Sequence, residues 1–344
     1  MRARVPPAQR YCSRLAQVTI AGCIVSMVCA GIAGLVLAEP IDGEPIAPVP
    51  SVAGLDSAKI ELGRKMFQDV RLSRDDKVSC AGCHHLERGG ADGRAYSMGV
   101  DGRPLDFNAS TVFNTALNAR LNWRGNFRTL EEQNESVLLD PRLMNSRWPE
   151  LLAKLRADIG YQTAFRTVYG GDPEREHVLD ALATFQRSLL TPDARFDRYL
   201  RGESGAISAD EARGYQLFKA YGCVACHQGV NIGGNLFQRF GVFRDPFAER
   251  DAIRPMDLGR YTVTGDERDR HVFRVPSLRN VAVTAPYFHD GSVASLSDAV
   301  AIMARSQLGR EVPSQDVDLI VKFLGTLTGA YQGRSIDTGS DRTQ

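Results

Sequence analysis

The first 38 residues contain no acidic side chain, and from Leu15 to Ala38 they carry no charge of either sign. Arg2, Arg4, Arg10 and Arg14 precede that run, and Val36-Leu37-Ala38 ends it with residues suited to cleavage. A basic start followed by an apolar segment reads as an export signal, which sends the remainder out of the cytoplasm. The run is also long enough to span a bilayer, so a retained membrane anchor is the alternative to a cleaved signal. Spare cysteine is missing too. Of seven cysteines, Cys12, Cys23 and Cys29 fall in the export segment and the other four form two pairs, leaving none for a structural disulfide. A strong charge imbalance is likewise absent. The whole chain is +1; without the four arginines, residues 39–344 hold 38 basic and 41 acidic groups, a net of −3. That balance argues against nucleic-acid binding and is compatible with a basic redox partner. Strand-like alternation is scarce, which leaves a mainly α-helical chain.

What is present is one short motif, twice. S-C-A-G-C-H-H runs from Ser79 to His85, and G-C-V-A-C-H-Q from Gly222 to Gln228. Cys-x-x-Cys-His suits covalent attachment of haem c. Cys80 and Cys83, then Cys223 and Cys226, would form thioethers to vinyl groups, while His84 and His227 would bind iron. Zinc knuckles usually lie roughly 15–20 residues apart, far closer than Cys83 and Cys223. A thioredoxin-like redox pair needs no trailing histidine. The opposite face of each iron is less determined: His271, His289, Met98, Met144, Met256 and Met303 are candidates that spacing does not separate. A haem ligated on both faces transfers electrons, whereas one with an open position can activate a small molecule.

The organisation around the motifs repeats as well. Gly63-x-x-x-Phe67 precedes the first motif and Gly214-x-x-x-Phe218 the second, so the chain divides into two related haem domains. The expected boundaries are an export segment at 1–38, a Pro- and Gly-rich extended leader at 39–55, an N-terminal domain at 56–200, a C-terminal domain at 201–335 and a polar tail at 336–344. Frayed structure is expected from residue 331. Asp172-Pro173 should start a helix bearing Val178, Leu182, Phe185 and Leu189. Ser208-x-x-Glu211 and Ser295-x-x-Asp298 read as helix starts, and Ser314 as the cap of a last helix. Segments 86–126 and 228–290 read as long haem-wrapping loops.

Three stretches carry a family likeness. V-P-S-L-R-N-V-A-V-T-A-P-Y-F-H-D-G-S-V-A-S-L-S-D-A-V-A-I-M from Val275 to Met303, N-A-S-T-V-F-N-T-A-L-N from Asn108 and W-R-G-N-F-R-T-L-E-E-Q from Trp123 resemble segments of the bacterial dihaem cytochrome c peroxidases. That superfamily also contains the MauG-type enzymes, which oxidise residues of a partner protein. The resemblance implies two cytochrome c-like haem domains, a peroxidatic N-terminal haem and an electron-transfer C-terminal haem ligated by His227 and Met303. MauG has tyrosine where Met303 stands, so the methionine favours the peroxidase branch. Trp123 matches the tryptophan between the haems, a relay. Asn108, with the carbonyls of Thr284 and Pro286, matches an interdomain calcium site, and oxygen ligands suit that hard cation.

Two positions depart from the pattern. Val100 stands where many members have a histidine that caps the N-terminal haem, and Leu143 stands where the family has a distal glutamate. Gln133 is retained at a pocket position but cannot shuttle a proton as a carboxylate can; Glu135 is the candidate substitute. The expected function is a periplasmic peroxidase that reduces hydrogen peroxide with electrons from a cytochrome c or cupredoxin, with a homodimer implied by the resemblance. MauG-like oxidation of a partner and a non-catalytic dihaem electron carrier are the alternatives.

Overall fold

The computed structural model describes residues 43–248, 250 and 252–336. The export segment and the tail from 337 lie outside the described residues. Among those described, no helix is long and apolar enough to cross a membrane. Helices dominate: α1 Ser57–Gln68, α2 Leu130–Leu139, α3 Trp148–Ala157, α4 Ile159–Tyr169, α5 Arg175–Ser188, α6 Arg195–Leu200, α7 Ala209–Ala220, α8 Tyr261–Thr264, α9 Leu296–Leu308 and α10 Ser314–Gly325. Two small antiparallel ribbons complete the described elements. β1 (Phe237–Arg239) pairs with β2 (Val272–Arg274), and β3 (Ala330–Tyr331) with β4 (Arg334–Ser335).

Local signals account for several helix starts. Ser208 and Glu211 form the reciprocal capping box at α7, and the Ser295 hydroxyl accepts from Asp298 N–H at α9. Ser314, expected as a cap, is instead the first residue of α10; Pro313 holds the cap position, and no side chain caps the helix. The start of α5 differs from expectation: it follows Glu174. Asp172 instead accepts from Arg166, and the Pro173 carbonyl accepts from Arg156. Both groups serve neighbouring elements, so the helix begins later.

The repeated Gly-x-x-x-Phe is a helix crossing made twice. On α1, a Cβ added at Gly63 would lie 2.0 Å from the Ala181 carbonyl oxygen and 2.7 Å from Phe185 Cβ on α5. On α7, one added at Gly214 would lie 1.9 Å from the Leu319 carbonyl oxygen on α10. Only hydrogen fits in either place. Four residues on, Phe67 meets Phe185 with ring centroids 5.2 Å apart, and Phe218 meets Phe323 at 5.3 Å. Each aromatic pair contributes about 0.5–1.5 kcal/mol beyond the area it buries.

A further duplication was hidden by divergence. Asn114 and Asn280 both take the left-handed conformation (φ 59° and 62°) and open short 3-10 turns, Thr115–Leu117 and Val281–Val283. Three residues before each asparagine a hydroxyl does the same double duty. Thr111 Oγ1 donates to Gly89 O at 2.6 Å and accepts from Phe113 N–H; Ser277 Oγ donates to Asn231 O at 2.7 Å and accepts from Arg279 N–H. The equivalent of apolar, buried Phe113 is therefore Arg279, also buried. Its guanidinium donates to Asp197 Oδ1 at 2.7 Å, Val230 O at 2.9 Å and Ala47 O at 2.8 Å. Burial pushes the Asp197 carboxyl up and the Arg279 guanidinium down, each opposed by the other's charge.

Two buried clusters follow from the crossings. One collects Leu62, Phe67, Phe113, Phe165 and Phe185; the other collects Phe196, Tyr215, Phe218, Ile320 and Phe323. The change falls between Leu189 and Phe196, so α6 packs with the later cluster rather than the earlier one. Each end of the described residues is tied to the opposite half. Ile46 of the leader sits in the second cluster, and Glu44 accepts from the Tyr215 hydroxyl and from Lys219. Residues 331–336 are not frayed: they form the β3–β4 ribbon, and Ile336 is buried in the first cluster beside Tyr331.

Candidate functional site

Both Cys-x-x-Cys-His motifs fold into the same turn. Cys80–Gly82 and Cys223–Ala225 are single 3-10 turns, and the histidine N–H closes each one onto the first cysteine carbonyl, at 2.9 Å for His84 and 3.0 Å for His227. The rings are then aimed identically. His84 Nδ1 meets Gly90 O at 3.1 Å, and His227 Nδ1 meets Ile232 O at 3.1 Å. With the Nδ1 proton donated to a carbonyl, the lone pair resides on Nε2, the nitrogen left for a metal. Burial lowers both imidazole pKa values, that of His227 to about 4, so each ring stays neutral and able to ligate. Burial also pushes the Cys80 thiol up to about 12 and Cys223 to about 11. Uncharged thioether sulfur suits such surroundings; a pair of bare thiolates does not.

A cavity opens beside the second turn and gathers residues from far along the chain. Cys223, Cys226, His227 and Met303 line it together with Trp123, Asn108, Thr284, Pro286 and His289. Met303 comes from α9, whose Ser295 cap sets the rotation of the helix. Trp123 is held by its indole N–H, which donates to Asn108 O at 2.9 Å, and by its carbonyl, which accepts from Arg274 N–H at 2.9 Å. Asn108 Nδ2 donates to Arg94 O at 2.8 Å, leaving its amide oxygen as the candidate cation ligand. Among the hydrogen bonds of the described residues, the Thr284 and Pro286 carbonyls accept none. The other iron-ligand candidates are placed differently. Met144 is core of the first cluster, Met98 is exposed, and Met256 lines a separate surface hollow. His271 Nδ1 meets Asp257 O at 2.7 Å, while His289 Nε2 meets Asp257 Oδ1 at 2.8 Å.

Arg274 was not foreseen and tests whether haem fits. It is 5% exposed and lines the same cavity, and its guanidinium donates only to the Asn122 and Val275 carbonyls, with no carboxylate partner among the described residues. Desolvation lowers its pKa to about 10. A buried cation without a counter-charge costs several kcal/mol on an order-of-magnitude scale. A macrocycle that brings carboxylates into an otherwise apolar cavity supplies that counter-charge, so the residues fit haem. An arginine inside the apolar run Val272-Phe273-Arg274-Val275 was the only sequence signal for it.

The positions expected around the first haem separate. Gln133 lies on α2 with its buried side-chain Oε1 unpartnered. Glu135, the expected acid–base substitute, is committed elsewhere. Arg175 Nε donates to Oε1 at 2.6 Å, Arg175 Nη2 donates to Oε2, and Trp148 Nε1 donates to Oε1 at 2.9 Å. The bonded Arg175 guanidinium holds this carboxyl below its usual range. Two residues apart on a helix, Gln133 and Glu135 also point to different sides. Glu135 is thus tied to Arg175 and Trp148.

Comparison with known proteins bears on the whole constellation. Residues 57–205 match the family model described as di-haem cytochrome c peroxidase. The chain is 45% identical to the cytochrome c peroxidase of Escherichia coli over 84% of its own length, and spans 62% of that relative's length. It is 41% identical to the cytochrome c551 peroxidase of Nitrosomonas europaea, covering 83% of this chain and 84% of the other. Among solved structures, a MauG-like protein associated with microbial copper homeostasis superposes with a TM-score of 0.72 at 29% identity, covering 83% of this chain and 94% of that one.

Proposed function

The chain belongs to the di-haem cytochrome c peroxidase family, and from that premise we propose that it is an exported, periplasmic enzyme of two haem domains that reduces hydrogen peroxide with electrons from a small redox protein. The observation that carries this reading is the shared cavity of His227, Met303 and Trp123. When bound, the two haems would supply the two electrons that, with two protons, turn one peroxide into two waters. The chain's own residues do the rest. His84 and His227 keep Nε2 available by donating Nδ1–H to backbone carbonyls. Met303 offers a thioether, which favours reduced iron and raises its potential. Trp123 stands beside this site as a relay, its indole oriented by Asn108, and Arg274 receives a carboxylate. Gln133 orients the peroxide, its Oε1 being an unpartnered acceptor. Asn108 with the Thr284 and Pro286 carbonyls would hold calcium.

Steady-state, peroxide-dependent oxidation of reduced cytochrome c by the purified holoprotein tests this. No turnover would return the chain to the class of electron carriers. Met303→Ala is expected to abolish the sulfur–iron charge-transfer band and to lower the potential of one haem only, read by spectroelectrochemical titration. An unchanged spectrum would make Met303 core filler.

A further inference from the structure

The outer side of the wall that carries Met303 holds an exposed apolar pair. Val242 is 51% exposed and Phe243 69%, the one phenylalanine exposed to this degree among the described residues. The pair is not a loose loop tip. Gln307 Oε1 accepts from Gly241 N–H at 2.7 Å and Val242 N–H at 3.2 Å, and Gln307 Nε2 donates to Arg239 O at 2.9 Å. Phe243 N–H donates to Ser306 O at 2.9 Å. The Phe243 ring lies against Gly309, the left-handed C-cap of α9, where an added Cβ would come within 2.9 Å of it. Gln307 and Phe240 also line the cavity shared by His227 and Met303. One layer of chain therefore separates the exposed pair from that cavity.

The rim is mainly basic: exposed Asp245 stands against exposed Arg239, Arg244 and Arg310. Arg239 and Arg310 flank the pair, both exposed, and neither forms an ion pair among the described residues. Arg305, one turn earlier on α9, reaches Glu311 at 3.9 Å, which neutralises that acid. The exported part as a whole is slightly acidic, yet this patch is locally basic. Steering of an encounter follows the local potential more than the sum.

We propose that Val242 and Phe243, rimmed by Arg239 and Arg310, form the docking surface for the electron donor, and that this donor is a small redox protein with an acidic rim around an apolar contact. The inference rests on the reading of the Met303 site as the electron-entry site. A rigid, backbone-anchored aromatic pays little ordering entropy on binding, and the arginines supply orientation and on-rate.

The test is stopped-flow reduction of the oxidised holoprotein by two small c-type cytochromes, one acidic and one basic, and needs no peroxide. The acidic donor should react faster, and its second-order rate should fall as salt rises. Phe243→Ser should slow it about tenfold, and Arg239→Glu with Arg310→Glu should slow it about tenfold and reverse its salt dependence. Faster reaction with the basic donor, or unchanged rates in these variants, overturns the proposal. Peroxide turnover driven by a small-molecule reductant, measured separately, decides the peroxidase reading itself. A donor that reduces the protein normally while peroxide is not turned over would leave the docking surface standing and sink that reading.

Discussion

Replacing Leu143 with glutamate is expected to raise peroxide turnover by the holoprotein ~100- to ~10,000-fold, the usual contribution of a positioned acid–base group. Splitting peroxide requires a proton to move from one oxygen to the other, and Gln133 can accept a hydrogen bond but cannot carry the proton. Leu143 lies in the turn that follows α2, with its N–H donating to Asp140 O at 3.1 Å and buried Met144 next in the chain. Arg142 ties that turn to the 97–106 loop: its carbonyl accepts from Val100 N–H at 3.1 Å, and its guanidinium donates to Pro104 O and Asp106. Gly99 lets the two loops of this contact approach, because an added Cβ would fall 2.4 Å from Arg142 O. The two positions where the resemblance expects titratable side chains, 100 and 143, are thus aliphatic and adjacent in space. Glu135→Gln is the control. It should leave turnover unchanged and loosen the Arg175–Trp148 contact. Unchanged turnover in Leu143→Glu together with collapse in Glu135→Gln would reassign the role to Glu135.

Arg279→Met should destabilise the protein by about 3–5 kcal/mol, the typical cost of leaving one member of a buried ion pair uncompensated. Three elements lose their tie at once: Asp197 of α6, the Val230 carbonyl beyond the second haem motif, and Ala47 of the leader. Asp197 Oδ2 already has no hydrogen-bond partner among the described residues, so the carboxylate would lose its main partner. The pH dependence separates a stranded charge from lost packing. Burial already raises the Asp197 pKa, and without Arg279 only Arg201 and the Val49 backbone N–H oppose that rise. A carboxyl whose folded pKa lies above its unfolded value contributes stability in acid and loses it as pH rises through the folded pKa. The deficit of the variant should therefore be small near the unfolded Asp pKa and grow toward neutral pH, read from thermal unfolding midpoints of the holoprotein. Asp197→Leu combined with Arg279→Met should recover most of the loss. A deficit independent of pH would mean that packing, not charge, was the cause.

What the sequence by itself determined is local. The haem-binding turn is written in five consecutive residues, and its hydrogen bonds close within the motif or a few residues beyond, so its geometry needs little from the rest of the chain. The Ser208 and Ser295 starts were legible for the same reason, since a cap is satisfied three residues away. The Gly-x-x-x-Phe repeat was visible, but its meaning was not, because the contacts that demand glycine at 63 and 214 come from Ala181 and Leu319. Tertiary structure alone decided which methionine shares the cavity of His227. It also decided that Glu135 pairs with Arg175, and that Arg274 and Arg279 are buried. Each of those outcomes depends on a partner brought close by helix crossing, not by sequence proximity. A side chain's chemistry is set by its neighbours, and the neighbours that mattered here lie tens to hundreds of positions away.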